Sequence, residues 1–158
     1  MSEAQSVGKV SPLAQPQGLY EQDFYAWVVE QVAALRSGQT QRLDIENLAE
    51  VIEDMARSLR RAVKSTLTII LIHLLKYRYQ AGRRTNSWRT TIREHWRRLR
   101  DELADSPSLR PYIRQILDAF YLDAREAASD ESGLPIATFP TACPFTLEQT
   151  LDRNFLQE

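Results

Sequence analysis

The sequence predicts an all-α fold: a four-helix bundle with one long central helix, followed by a proline-punctuated C-terminal tail that carries a short helix. Two observations predict it. Apolar residues recur every three or four positions in four successive segments, the spacing that puts them on one face of a helix. From Asp44 to Gln80 this spacing runs with no glycine or proline to interrupt it. At 158 residues the chain suits one domain, long enough to bury about two-thirds of the surface its unfolded form exposes. The expected organisation is a disordered leader over residues 1–18 and a single helical-bundle domain over 19–158.

The first helix is expected from near Glu21 to Arg36, where Phe24, Trp27, Val28, Val32 and Leu35 share one side. Gly38 stands where a helix-ending glycine takes positive φ. Asp44 is placed to cap the second helix, with Leu43 and Leu48 as the two halves of a hydrophobic staple. That helix runs to about Gln80 through Leu48, Ile52, Met55, Leu59, Val63, Leu67, Ile70, Leu74 and Tyr77. The β-branched run Thr66–Ile72 alone would suit a strand, but the unbroken register on both sides favours helix. Its middle is apolar all round and should be central.

Gly82 and a polar loop separate this helix from a third, capped by Ser87 and ending near Ala104. In the third helix Trp88, Ile92, Trp96, Leu99 and Leu103 form one stripe, and Arg89, Arg93, Arg97 and Arg100 form the next. Ser106 or Ser108 caps the fourth helix, with Pro107 and Pro111 at its start, where a missing N–H costs little. Its apolar stripe is Ile113, Ile116, Leu117, Phe120, Tyr121 and Ala124, and Gly133 lies just past its end. Pro135, Pro140 and Pro144 then impose an extended course, and Thr146 with Gln149 makes a capping box for a last helix near Leu147–Asp152.

Several of these segments resemble a known family as a set: LYEQDFYAW, DIENLAEVIEDM, HLLKYRYQ, SWRTTIREHWRRLRDEL, DSPSLRPYIRQ and GLPIATFPTACPFTLEQTLDRNFL. In order and without large gaps, over residues 19–158, they resemble the bacterial family catalogued as domain of unknown function number twenty-nine. The resemblance implies an all-α bundle of bacterial origin. It supplies no catalytic residue, cofactor or partner to carry over, so function has to be argued from the side chains.

A net charge of −1 hides three unequal blocks. Residues 57–114 hold 15 of the 20 Lys and Arg against four acids, a net of +11, and the segments on either side each net −6. Either these blocks fold back on one another as complementary helices, or a basic surface is left for an anionic partner. Within the third helix, Glu94 with Arg98, Arg98 with Glu102 and Arg97 with Asp101 sit at i,i+4, each pair contributing about 0.2–0.5 kcal/mol. Internal pairing of the arginine stripe with acids of the second helix, the fourth helix and the tail is the leading expectation. A protein partner comes next, and nucleic acid third.

Chemistry finds little purchase. The longest apolar run, Leu67–Leu75, is far short of the ~20 residues of a membrane span. No basic and apolar N-terminal signal is seen, and a single cysteine, Cys143, fits a reducing compartment, so a cytoplasmic protein is expected. The Glu-x-x-His pattern of di-iron bundles is absent: Ile70 precedes His73 by three and Ile92 precedes His95 by three. Glu46, Glu50, Glu53 and Asp54 share one side of the second helix and are read as a solvated face or a partner for the third-helix arginines rather than a metal site. His73 is read as a core or boundary residue with one hydrogen-bond partner, His95 as surface or boundary, and Cys143 as a small buried anchor for the tail. Neither a phosphate-binding loop nor a nucleophile elbow is present. The expectation is a non-enzymatic interaction module without cofactor or metal.

Its partner-binding residues are taken to be Tyr79, Arg83, Arg84, Arg89, Arg93, Arg97 and Arg100. They would meet a protein partner or a second copy through charged helix faces. The alternative is nucleic acid bound through the Arg- and Tyr-rich stretch 77–100, where cations would neutralise phosphates and aromatics stack on bases. Against that alternative, Trp88 and Trp96 fall on the core stripe, and the isoelectric point near 6.2 is low for such a domain.

Overall fold

The computed structural model of the protein describes residues 18–152 and 154–157, so residues 1–17 of the expected leader lie outside the described residues. Among the described residues the chain is helical and contains no strand. Six helices follow one another: α1 (Leu19–Gln22), α2 (Phe24–Ser37), α3 (Ile45–Tyr79), α4 (Asn86–Asp105), α5 (Leu109–Ser132) and α6 (Leu147–Leu151). Four are long, as the periodicity predicts, and α3, with 35 residues, is the longest. The described residues fall into two compact units, divided between Met55 and Ala56 inside α3.

In the first unit the expected first helix is split. Asp23 leaves the helical region, and its side chain accepts from the Ala26 N–H at 3.0 Å, so α2 starts afresh behind a new cap. Tyr20, Phe24 and Trp27 pack ring on ring across this break, with centroids 4.8–5.7 Å apart. α2 ends at Gly38, whose φ of 69° only glycine adopts without strain. The buried face differs from the expected stripe. Trp27, Gln31 and Ala34 are buried, whereas Phe24, Val32 and Leu35 are exposed.

Polar geometry explains this rotation. Asp44 caps α3 through a 3.4 Å contact from the Asn47 N–H, and its other oxygen accepts from Trp27 Nε1 at 3.2 Å and Asn47 Nδ2 at 2.7 Å. Its own N–H donates to Gln31 Oε1 at 2.8 Å. A buried carboxylate needs donors and a buried N–H an acceptor; Trp27 supplies the first and Gln31 the second, which turns their side of α2 inward.

The second unit holds the main core. It is built from Val63, Leu67, Ile70, Leu71, Leu74 and Leu75 of α3, the Ile92–Trp96–Leu99–Leu103 stripe of α4, and Ile113, Leu117, Tyr121, Ala124 and Ala128 of α5. The run that by itself would suit a strand is thus helical and central. α4 is capped by Thr85, which accepts from the Trp88 N–H, two residues before the expected Ser87. Ser108 precedes α5 without making a side-chain cap bond. Gly133 closes α5 at φ 71°.

The tail lies across this core and is held by its backbone. Tyr121 Oη donates to the Pro140 carbonyl, and Arg125 donates to the Phe139 and Ile136 carbonyls at 3.0 Å each. Phe139, Phe145 and Leu147 are buried in the same cluster. The capping box of Thr146 and Gln149 forms as expected.

Candidate functional site

The arginine stripe follows from how α4 buries its apolar face. With Ile92, Trp96, Leu99 and Leu103 turned inward, Arg93, Arg97 and Arg100 fall beside that face and remain exposed. The tail supplies the opposite wall. Trp96 Nε1 donates to the Thr150 carbonyl, fixing α6 and the residues after it against α4. Between them lies an open cleft of about 520 Å³, walled by Arg93, Arg97, Arg100 and Trp96 on one side and Leu151, Asp152 and Asn154 on the other.

Among the described residues the arginines of this cleft are only weakly paired. Arg97 lies 3.8 Å and Arg100 3.9 Å from the single carboxylate of Asp101, both contacts solvent-exposed and therefore weak. No carboxylate among the described residues lies within 4.0 Å of Arg93. The expectation that acids of neighbouring segments cover the stripe is thus not met among the described residues. The interhelical pairs are made elsewhere: Lys64 to Asp123 at 3.9 Å, Lys76 to Glu131 at 2.9 Å, and Arg114 to Glu148 at 3.5 Å. The expected pair of Arg98 with Glu102 is also absent, because Arg98 turns back to Glu94. Glu102 Oε2 is buried without a hydrogen-bond partner among the described residues, and burial raises the carboxyl above its ordinary pKa.

The remaining sequence candidates go elsewhere. Arg89 donates to Tyr77 Oη at 2.7 and 3.2 Å, and Arg84 donates to the Tyr77 carbonyl at 2.7 Å with its guanidinium 4.3 Å over the Tyr77 ring. Both arginines are thereby engaged with one tyrosine. Tyr79 is half-buried and meets Phe139 edge to face at 5.6 Å, so its ring is already packed. Arg83 is exposed on the loop. A second depression, about 420 Å³, lies beside Tyr77, Arg78 and Arg84 and is floored by Leu74, Phe145 and Phe155.

The groups with nucleophilic or ligating chemistry have local partners. His73 Nδ1 is 2.9 Å from the Ile69 carbonyl, and His95 Nδ1 is 2.9 Å from the Thr91 carbonyl, each one helical turn back. Burial holds the His73 pKa below the ordinary imidazole range. Cys143 is half-buried, its Sγ donating to the Phe145 carbonyl at 3.3 Å, and burial pushes its thiol pKa up. A raised pKa keeps the thiol protonated, opposite to what a nucleophile requires. Among the described residues no three of His, Cys, Asp and Glu are grouped to hold a metal ion. None of the described helices is long and apolar enough to cross a membrane.

Sequence reasoning missed the tail side of the cleft. Leu151, Asp152 and Asn154 follow the capping box, but nothing in their spacing reveals that Trp96 anchors them beside the arginines. It also missed Lys76, buried at 8% exposure just past the apolar run, whose role is visible only once Glu131 and Trp88 are seen beside it.

The fold is that of an all-α helical bundle, with an arginine-walled cleft on its α4 side. The chain belongs to the family described as Domain of unknown function DUF29, whose model matches residues 19–156, nearly the whole chain. No curated protein and no solved structure matches it.

Proposed function

We propose that the protein is a non-enzymatic interaction module that takes an acidic segment of a protein partner into the cleft of Arg93, Arg97 and Arg100. The observation that carries this reading is the exposed charge: three guanidinium groups share one wall of a cleft, with Asp101 alone among the described residues in ion-pair range. Guanidinium groups are weakly hydrated and bind carboxylates in bidentate fashion, so acidic side chains match this wall. Trp96 and Leu151 give the floor an apolar component suited to a peptide rather than a free ion. The non-enzymatic part rests on Cys143, whose thiol burial keeps protonated, and on His73, whose Nδ1 is engaged with the Ile69 carbonyl of its own helix.

Nucleic acid draws less support, since the aromatics that would stack on bases are occupied: Trp96 is buried, Tyr79 packs on Phe139, and Lys76 lies over Trp88. The test is fluorescence anisotropy with a labelled Glu-rich peptide, a Lys-rich control and a labelled single-stranded oligonucleotide. Binding of the acidic peptide, lost in the Arg93→Glu/Arg97→Glu variant at unchanged melting temperature, is the expected result. Binding of the oligonucleotide alone would replace this reading, and a large drop in stability would mean that the arginines serve the fold.

A further inference from the structure

The second depression, between the end of α3 and the tail, joins two kinds of surface within the second compact unit. Its apolar part comes from Leu74, Phe145, Phe155 and Leu156, with Phe145 and Phe155 meeting edge to face at 5.9 Å. Its polar part is Arg78, Arg84 and Gln149, and no carboxylate among the described residues lines it. Arg84 is held at two points: its Nε donates to the Tyr77 carbonyl at 2.7 Å, and its guanidinium lies 4.3 Å over the ring of Tyr77, itself a buried residue. The two terminal nitrogens of Arg84 make no hydrogen bond or ion pair among the described residues. Arg78 makes no ion pair among them either, and its guanidinium stands 5.8 Å from the centre of the Phe145 ring. Gln149 commits its amide oxygen to the Thr146 N–H in the capping box, which leaves Nε2 as the donor it can offer.

We infer that this depression is a binding site for a small aromatic carboxylate, its ring against Phe145, Phe155 and Leu74 and its carboxylate on Arg84 and Arg78. A guanidinium fixed in place meets a carboxylate through two parallel N–H donors and gives up little side-chain freedom in doing so. A ring adds edge contacts with the two phenylalanines that an aliphatic chain lacks. The volume of about 420 Å³ lies within the range of small-molecule pockets, about 300–1,000 Å³. A bare anion would leave Phe155 and Leu156 uncovered, and a neutral ring would leave the arginines unmatched. A nucleotide also joins a ring to an anion, but its base and sugar need hydrogen-bond partners that the apolar side chains here do not supply.

The depression shares no lining residue with the arginine cleft: Gln149, Phe155 and Leu156 of the tail line the one, and Leu151, Asp152 and Asn154 the other. Either reading can therefore fail without the other. Isothermal titration of the full chain with naphthoate should show a single site. Naphthylmethanol, which keeps the ring without the charge, and acetate, which keeps the charge without the ring, should each bind at least about tenfold more weakly. The Arg78→Gln/Arg84→Gln variant should lose naphthoate binding by a similar factor, whereas Arg93→Glu/Arg97→Glu should retain it. Leu156→Glu sets a carboxylate in the depression without touching the bonds from Arg84 to Tyr77, and should abolish binding at unchanged melting temperature. Absence of naphthoate binding, equal affinity for naphthylmethanol, tighter binding of adenosine monophosphate, or binding that survives Leu156→Glu would each overturn the inference. Displacement of naphthoate by the Glu-rich peptide would overturn it too, since the ligand would then sit in the arginine cleft.

Discussion

Lys76 Nζ lies 2.9 Å from Glu131 Oε2 and 4.9 Å from the centroid of the Trp88 ring, tying α3 to α5 and α4 through one ammonium group. Lys76 is buried directly after the most apolar stretch of α3, where its charge needs both partners. Glu131→Gln removes the counter-charge and leaves a buried cation. Because the Glu131 side chain is about half exposed, the loss should be well below that of a fully buried pair, about 1–2 kcal/mol. Lys76→Met, which fills the same space without charge, should cost less. Urea denaturation of the two variants checks the order, and a costlier Lys76→Met would show that the cation–ring contact dominates.

Trp96 holds the tail by one hydrogen bond to the Thr150 carbonyl as well as by its ring. Trp96→Phe keeps most of the packing but leaves that carbonyl unpartnered at a buried site, and should destabilise by about 1–3 kcal/mol. The same variant loosens the wall formed by Leu151, Asp152 and Asn154, so binding of an acidic peptide should weaken even though no arginine changes. Parallel denaturation and anisotropy measurements test both parts.

Asp44 receives donors from Trp27 and Asn47 while capping α3. Asp44→Ala should cost about 1–2 kcal/mol through the lost cap and leave the indole N–H unpaired. The effect should concentrate in residues 19–55. Hydrogen exchange should therefore rise in α2 and the first turns of α3 and change little in α5.

His73 supplies a pH signature. Its pKa is lowered, chiefly by burial and against the opposing pull of the Ile69 carbonyl, so the unfolded chain binds a proton where the folded one does not. The stability associated with neutral His73 is fully present above the unfolded value near 6.5 and declines as pH falls through the lowered folded value. Stability of His73→Leu minus that of the native chain should therefore grow as pH drops from about 7.5 towards about 5. A constant difference would show that the histidine is not desolvated.

Cys143 should alkylate slowly. Burial raises its pKa, and its Sγ is committed to the Phe145 carbonyl, so iodoacetamide at neutral pH should modify it many-fold more slowly than a free thiol, with urea restoring the normal rate. Rapid modification of the folded protein would reopen a chemical role for it.

Much of the helical pattern was legible from the sequence. The span of α3, the glycine stops at Gly38 and Gly133, the buried stripe of α4 and the Thr146–Gln149 box all arise from local spacing, which helix geometry converts directly into a face. The departures trace to particular polar partners. Phe24, Val32 and Leu35 have the periodicity of a buried face but lie outside, because Asp44 takes its donor from Trp27 and its acceptor from Gln31 on the other side of α2. Arg98 has two carboxylates one turn away and takes Glu94 over Glu102.

The candidate site was legible only in half. Arg93, Arg97 and Arg100 stand on one stripe by spacing alone, whereas whether they are covered depends on which acids the fold brings near. Tyr79 and Arg84, equally prominent in the sequence, are absorbed by Phe139 and Tyr77. Sequence by itself thus determined which residues form helices and which side of each helix is apolar, because those follow from interactions within four residues. Tertiary structure alone decided which charges find partners, which apolar stripes find cover, and that the tail completes a cleft. Those outcomes rest on contacts between residues tens of positions apart, such as Trp96 with Thr150 and Lys76 with Glu131.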